Sequence, residues 1–72
     1  MKVLYDSEVD ALSIVFQEAE CRTEHVGEGV AIDYDADGRI AAIEILDAAR
    51  RFGSSEPLRE VLVEGIKIAS AA

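Results

Sequence analysis

The sequence predicts an α+β domain: a four-stranded antiparallel meander of two β-hairpins, followed by a short helical turn and a C-terminal helix. Three observations lead there. Leu12, Ile14 and Phe16 alternate with Ala11, Ser13 and Val15, the period of two that sends neighbouring side chains to opposite faces of a strand. An aspartyl-glycine step at Asp37 and Gly38 separates two aliphatic segments, a strong short-range hairpin signal. After Pro57, apolar residues recur at intervals of three and four, the spacing of one helix face.

Residues 2–16, KVLYDSEVDALSIVF, hold two apolar runs around a polar break, DSEVD. Asp and Ser side chains can bond nearby backbone N–H groups, so the break is predicted to be the turn of a first hairpin. Residues 17–24 are polar and charged without periodicity, and they are predicted to be a connector. Next, VGEGVAIDY puts Val30, Ile32 and Tyr34 on one face and Ala31 and Asp33 on the other, a third strand. Beyond DADG, IAAIEIL forms a fourth, with Ile43 and Ile45 sharing a face.

The Asp37-Gly38 step suits a type I′ turn, which needs positive φ at both central residues. A two-residue loop there sets Ile32 opposite Ile43, Val30 opposite Ile45 and Ala31 opposite Glu44. Slipping by one residue would set Val30 against Glu44 and mix the faces, which a half-buried sheet resists.

LDAARRFG suits a helical turn, with Asp47 as cap, Arg50 and Arg51 near the negative end and Gly53 as the stop. In EPLREVLVEGIKIASAA, Pro57 fits a first helical position, and Leu58, Val61, Leu62, Gly65, Ile66 and Ala69 share a face. A helix is predicted over 57–69, although Gly65 costs about 1 kcal/mol relative to Ala and Val61 to Val63 also suit a strand. Val63 and Ile68 widen its apolar face. All 72 residues read as a single domain.

At this length a single core is near its lower limit, and half the residues are hydrophobic. An exposed apolar patch or a subunit interface should remain, so a homo-oligomer, most simply a symmetric dimer, is expected. Seven Lys and Arg against fifteen Asp and Glu give a formal charge of −8. That field repels phosphate backbones and anionic lipid, so neither nucleic acid nor a membrane is expected as a direct partner, whereas a basic protein or a cation is attracted. No segment approaches the roughly 20 apolar residues of a membrane span, and MKVLYD does not open a signal peptide. With Cys21 as the lone cysteine, a reducing, cytoplasmic location is expected.

One stretch also spells a metal motif. In DYDADGRIAAIE, Asp33, Asp35, Asp37, Gly38, Ile40 and Glu44 occupy the positions of a calcium loop of the EF-hand type. Against that, the preceding VGEGVAI carries two glycines and is a poor entering helix, Ala41 offers no side-chain oxygen, and only one such loop is present. The hairpin is the better account, and cation binding stays as the alternative. In a simple meander the first and third turns share an end, which would gather Asp6, Glu8 and Asp10 with Asp33, Asp35 and Asp37. Such a cluster is a candidate docking patch for a basic protein, chiefly through Asp6, Glu8, Asp10, Asp35 and Asp37, or a site for Ca²⁺, Mg²⁺ or Mn²⁺.

Cys21 and His25 could form a nucleophile and base, but they sit in a polar connector without an oxyanion device and supply only two of the four ligands of a structural zinc. VGEGV lacks the ending of a phosphate loop. No catalytic residue and no cofactor are assigned.

YDSEVDAL (Tyr5 to Leu12) together with DYDADGRIAAIEILDA (Asp33 to Ala48) resembles the small bacterial domain of unknown function numbered 2283, a likeness covering residues 1–52. Ser7 stands where members often carry Pro, and Ser13 where they often carry an aromatic residue. The resemblance implies a compact β-rich core over 1–52 and, through neighbouring toxin-like genes, an antitoxin or accessory role. The function expected is thus a non-catalytic interaction or oligomerisation module.

Overall fold

The computed structural model describes residues 1–64. They form one antiparallel sheet of five strands, β1 (Lys2–Asp6), β2 (Ala11–Val15), β3 (Arg22–Gly27), β4 (Val30–Tyr34) and β5 (Ile40–Leu46), then helix α1 (Ala48–Phe52) and a 3₁₀ turn at Glu56–Leu58. The strand order is β1-β2-β5-β4-β3. The described residues are mostly β, with one short helix.

The four-stranded meander is therefore corrected in two ways. The last three residues of the expected connector, Arg22 to Glu24, and the first two of the expected third strand, Val26 and Gly27, belong to β3, an edge strand whose six residues, RTEHVG, are all exposed. With neither face buried, nothing selects an apolar alternation there, and the strand is held by the open edge of β4 instead. Thr23 Oγ1 bonds Asp33 at 2.5 Å, and the Arg22 guanidinium lies 5.2 Å from the Tyr34 ring centre. The second correction is the order: β5 pairs with β2 on one side and β4 on the other, making the last strand the central one.

The predicted aliphatic register holds, with Val30 opposite Ile45, Ala31 opposite Glu44 and Ile32 opposite Ile43. The turn itself differs. Gly38 N–H donates to Asp35 O at 3.0 Å and Asp35 N–H to Arg39 O at 2.9 Å. Gly38 has φ 81°, but Asp37 is not left-handed. This is a three-residue loop, a type I turn followed by a left-handed glycine, rather than type I′. The extra residue is absorbed where the register shifts between Asp33 and Tyr34, so every aliphatic pair keeps its face.

Two rows of side chains cross one face: Tyr5, Leu12, Ile45 and Val30, and beside them Val3, Ile14, Ile43 and Ile32. Phe52, Pro57, Leu58 and Val61 approach the β1–β2 half of this face and leave a cleft of about 340 Å³. Burial is modest. Among the described residues the buried core is Leu12 with Ala31, Ala41, Ala42 and Ala48.

The helix predicted over 57–69 is also corrected. Pro57 does sit in a first helical turn, but that turn is 3₁₀ and ends at Leu58, with no regular structure from 60 to 64. Val61, Leu62 and Val63 are 59%, 71% and 68% exposed, so this stretch lacks the packed face that a short helix needs for stability. Residues 65–69 of that expectation lie outside the described residues. No helix among the described residues is long and apolar enough to cross a membrane.

Candidate functional site

The strand directions decide where the acidic turns go. Ala11 lies opposite Leu46 and Val15 opposite Ala42, so the β1–β2 turn meets the end of β5 while the β4–β5 turn lies at its beginning. Asp6, Glu8 and Asp10 are thus separated from Asp33, Asp35 and Asp37 by the length of β5, about 20 Å at a strand's rise per residue. The expected gathering of six carboxylates does not occur, because β3, absent from the expected meander, adds one reversal of chain direction before β4. Among the described residues no three His, Cys, Asp or Glu side chains form a set able to hold a metal ion.

At the first end, Asp10 takes a left-handed conformation, φ 54°. Its carboxylate accepts a 2.6 Å bond from the Tyr5 hydroxyl, a 2.8 Å bond from Ala49 N–H and a longer one from Arg50 N–H, while its carbonyl accepts from Ala48 N–H at 3.0 Å. It therefore caps α1 from the neighbouring β1–β2 turn, distant in sequence but adjacent in space. Asp47, the cap expected from sequence, flanks the helix but makes no side-chain cap bond. The Tyr5 hydroxyl, followed by Ala49 N–H, holds the Asp10 carboxyl below the usual carboxylate range, and the same hydroxyl bond raises Tyr5. Asp6 accepts from Glu8 N–H at 2.9 Å, a local turn bond.

Arg51 completes this end. Its Nε donates to Leu46 O at 2.9 Å and its Nη2 to Glu28 O, tying α1 to β5 and to the β3–β4 turn. Gly29, at φ 72°, leaves the space this guanidinium fills: a Cβ there would stand 2.6 Å from Nη2. Tyr5 was not singled out from the sequence, and Arg51 only as a charge near the negative end of the helical turn. Tyr5 could have been, since it and Asp10 flank one tight turn, whereas nothing local marks the contacts of Arg51.

At the opposite end, one oxygen of Asp35 accepts from the N–H groups of Asp37 and Arg39, both at 2.9 Å, and the other from Gln17 Nε2 at 3.1 Å. The Arg39 N–H leads in lowering its pKa. Asp37 pairs with Arg39 at 3.3 Å in full exposure to solvent. Glu44 is exposed in the middle of β5, opposite Ser13 and Ala31, and does not turn back toward the loop. Residues 33–44 are thus a strand end, a turn and a strand, the hairpin rather than a loop between two helices.

Cys21 and His25 fall at opposite ends of about 13 Å of extended chain, too far for a nucleophile and its base. Desolvation first, then Asp33 and Asp35, push the Cys21 thiol up, and its Sγ donates to Ala19 O at 3.0 Å. That environment disfavours the thiolate.

Asp10 and Asp35 are committed to backbone N–H groups, and the aliphatic face and the sheet edges are further surfaces open to binding. A small antiparallel sheet closed at one end by a short helix, with its apolar rows half-covered, is the class of protein this describes. Residues 2–48 match the family described as "Protein of unknown function (DUF2283)", and the chain belongs to that family. The match runs from the start of β1 to the first residue of α1, one residue short of the expected span at its start and four at its end. No curated protein and no solved structure matches the chain.

Proposed function

We propose that this domain is a non-catalytic interaction module of the cytosol that self-associates, as a dimer in its simplest form. The supporting observation is how little it buries. Among the described residues Leu12 is the one large side chain in the core, the rest of which is alanine, while Val3, Leu4, Phe16 and Phe52 are exposed. Burial of apolar surface contributes about 25 cal/mol per Å², so a second chain covering these residues adds stabilisation that a sheet this small does not find within itself. The formal charge of −8 gives the assembled module an acidic field that favours a basic protein as a further partner, in keeping with an accessory or antitoxin-like role.

Light scattering across low to high micromolar concentration tests the proposal. A dimer mass is expected, unchanged by chelator or by added Ca²⁺. A monomer at every concentration sinks self-association, and a mass or melting temperature that rises with Ca²⁺ or Mn²⁺ favours cation binding by Asp33, Asp35, Asp37 and Glu44 instead.

A further inference from the structure

We propose that β1 is the edge through which two copies join, pairing antiparallel about Leu4 so that the sheet continues across a two-fold axis. This rests on the self-association proposed above and names its surface and register.

β1 is the outer strand at one edge and β3 at the other. An edge strand carries unpaired N–H and C=O groups, a template for another strand. In a two-fold antiparallel pair, directly opposed side chains share a face, so the axis must pass through a residue of β1. Centring on Val3 sets Lys2 against Leu4, and centring on Tyr5 sets Leu4 against Asp6. Centring on Leu4 alone avoids a charge against an apolar side chain: Leu4 meets Leu4, Val3 meets Tyr5, and Lys2 meets Asp6 at both ends.

The charges are free enough to serve. Lys2 bonds Glu18 at 2.7 Å, with side chains 62% and 77% exposed. Such a pair is weak, and an ammonium group has three donors, so Glu18 and an opposing Asp6 can be held together. Asp6 uses one oxygen for Glu8 N–H, leaving the other available. Val3 and Tyr5 also extend both aliphatic rows to the axis, where the partner's rows continue them. Leu4, 55% exposed in the single chain, is covered on pairing.

β3 is a poor alternative. Its register is broken between His25 and Gly27, and Arg22 and Glu24 occupy its length. Pairing about Glu24 sets Glu24 against itself, and a bulge with charges is how an edge is kept from pairing.

Charge reversal tests the register. Lys2→Asp and Asp6→Lys, each alone, put like charges at both ends and should weaken the dimer about tenfold or more. Mixed in equal amounts, they should form a heterodimer, since each then presents the charges the other lacks. Circular dichroism checks that both variants are folded. In a Cys21→Ser background, Leu4→Cys should form a covalent dimer on mild oxidation while Val3→Cys, which faces Tyr5, should not. A wild-type dimer indifferent to both reversals, with no Leu4→Cys cross-link, overturns the β1 register and leaves self-association standing. A wild-type monomer overturns both.

Discussion

At one end of the sheet Asp10 reaches 39 residues along the chain to cap α1, whereas at the other Asp35 serves N–H groups two and four residues ahead of it. Both are aspartates in acidic turns, and both carboxyls lie below their usual range because hydrogen-bond donors favour the charged form. The difference lies in what each bond joins. Asp10 links the first hairpin to a helix that follows the last strand, so its loss separates elements. Asp35 organises one loop whose donors water could satisfy.

The sharpest test of that contrast is Asp10→Ala, which strands the Tyr5 hydroxyl and uncaps α1. A fall in Tm of about 5–10 °C is expected by circular dichroism, from the usual cost of losing a cap in a domain of this size. A shift of only a degree or two would make Asp10 as local as Asp35.

Acid titration should give a smaller effect. Because the folded-state pKa of Asp10 is depressed, its contribution is present above the ordinary aspartate value, about pH 4, and is lost as pH falls through the lower folded value. The Tm gap between the wild type and Asp10→Asn should therefore narrow in melts taken from pH 6 down to pH 2. A gap constant over that range would mean that ionisation of Asp10 is not what holds the helix. Smallest of all should be Asp35→Ala, with a Tm change under about 3 °C. Amide chemical-shift changes should be confined to residues 33–41 and Gln17.

The contrast also marks what could be seen in advance. The pairing of Ile32 with Ile43 and Val30 with Ile45 was legible, because a slip would have exposed an entire aliphatic set. The turn joining them was harder to foresee, since one Asp-Gly step serves both type I′ and a type I turn with a left-handed glycine, and a bulge reconciles either with the same register. β3 carried no signal, as a strand exposed on both faces needs only a partner's open edge. From Leu58 to Val61 and Leu62 helical spacing was present, but spacing does not supply a surface to pack on.

From its own residues the chain determined that aliphatic strands would alternate, that Gly38 would turn left-handed, that Pro57 would open a helical turn and that the surface would be acidic. Each follows from local sterics, side-chain chemistry or charge count. Only the tertiary structure decided that β5 would lie at the centre, that the acidic turns would stand at opposite ends and that Asp10 would cap a helix distant in sequence. Such outcomes depend on which strand edges meet, and pairing between remote segments leaves no periodic trace in either one.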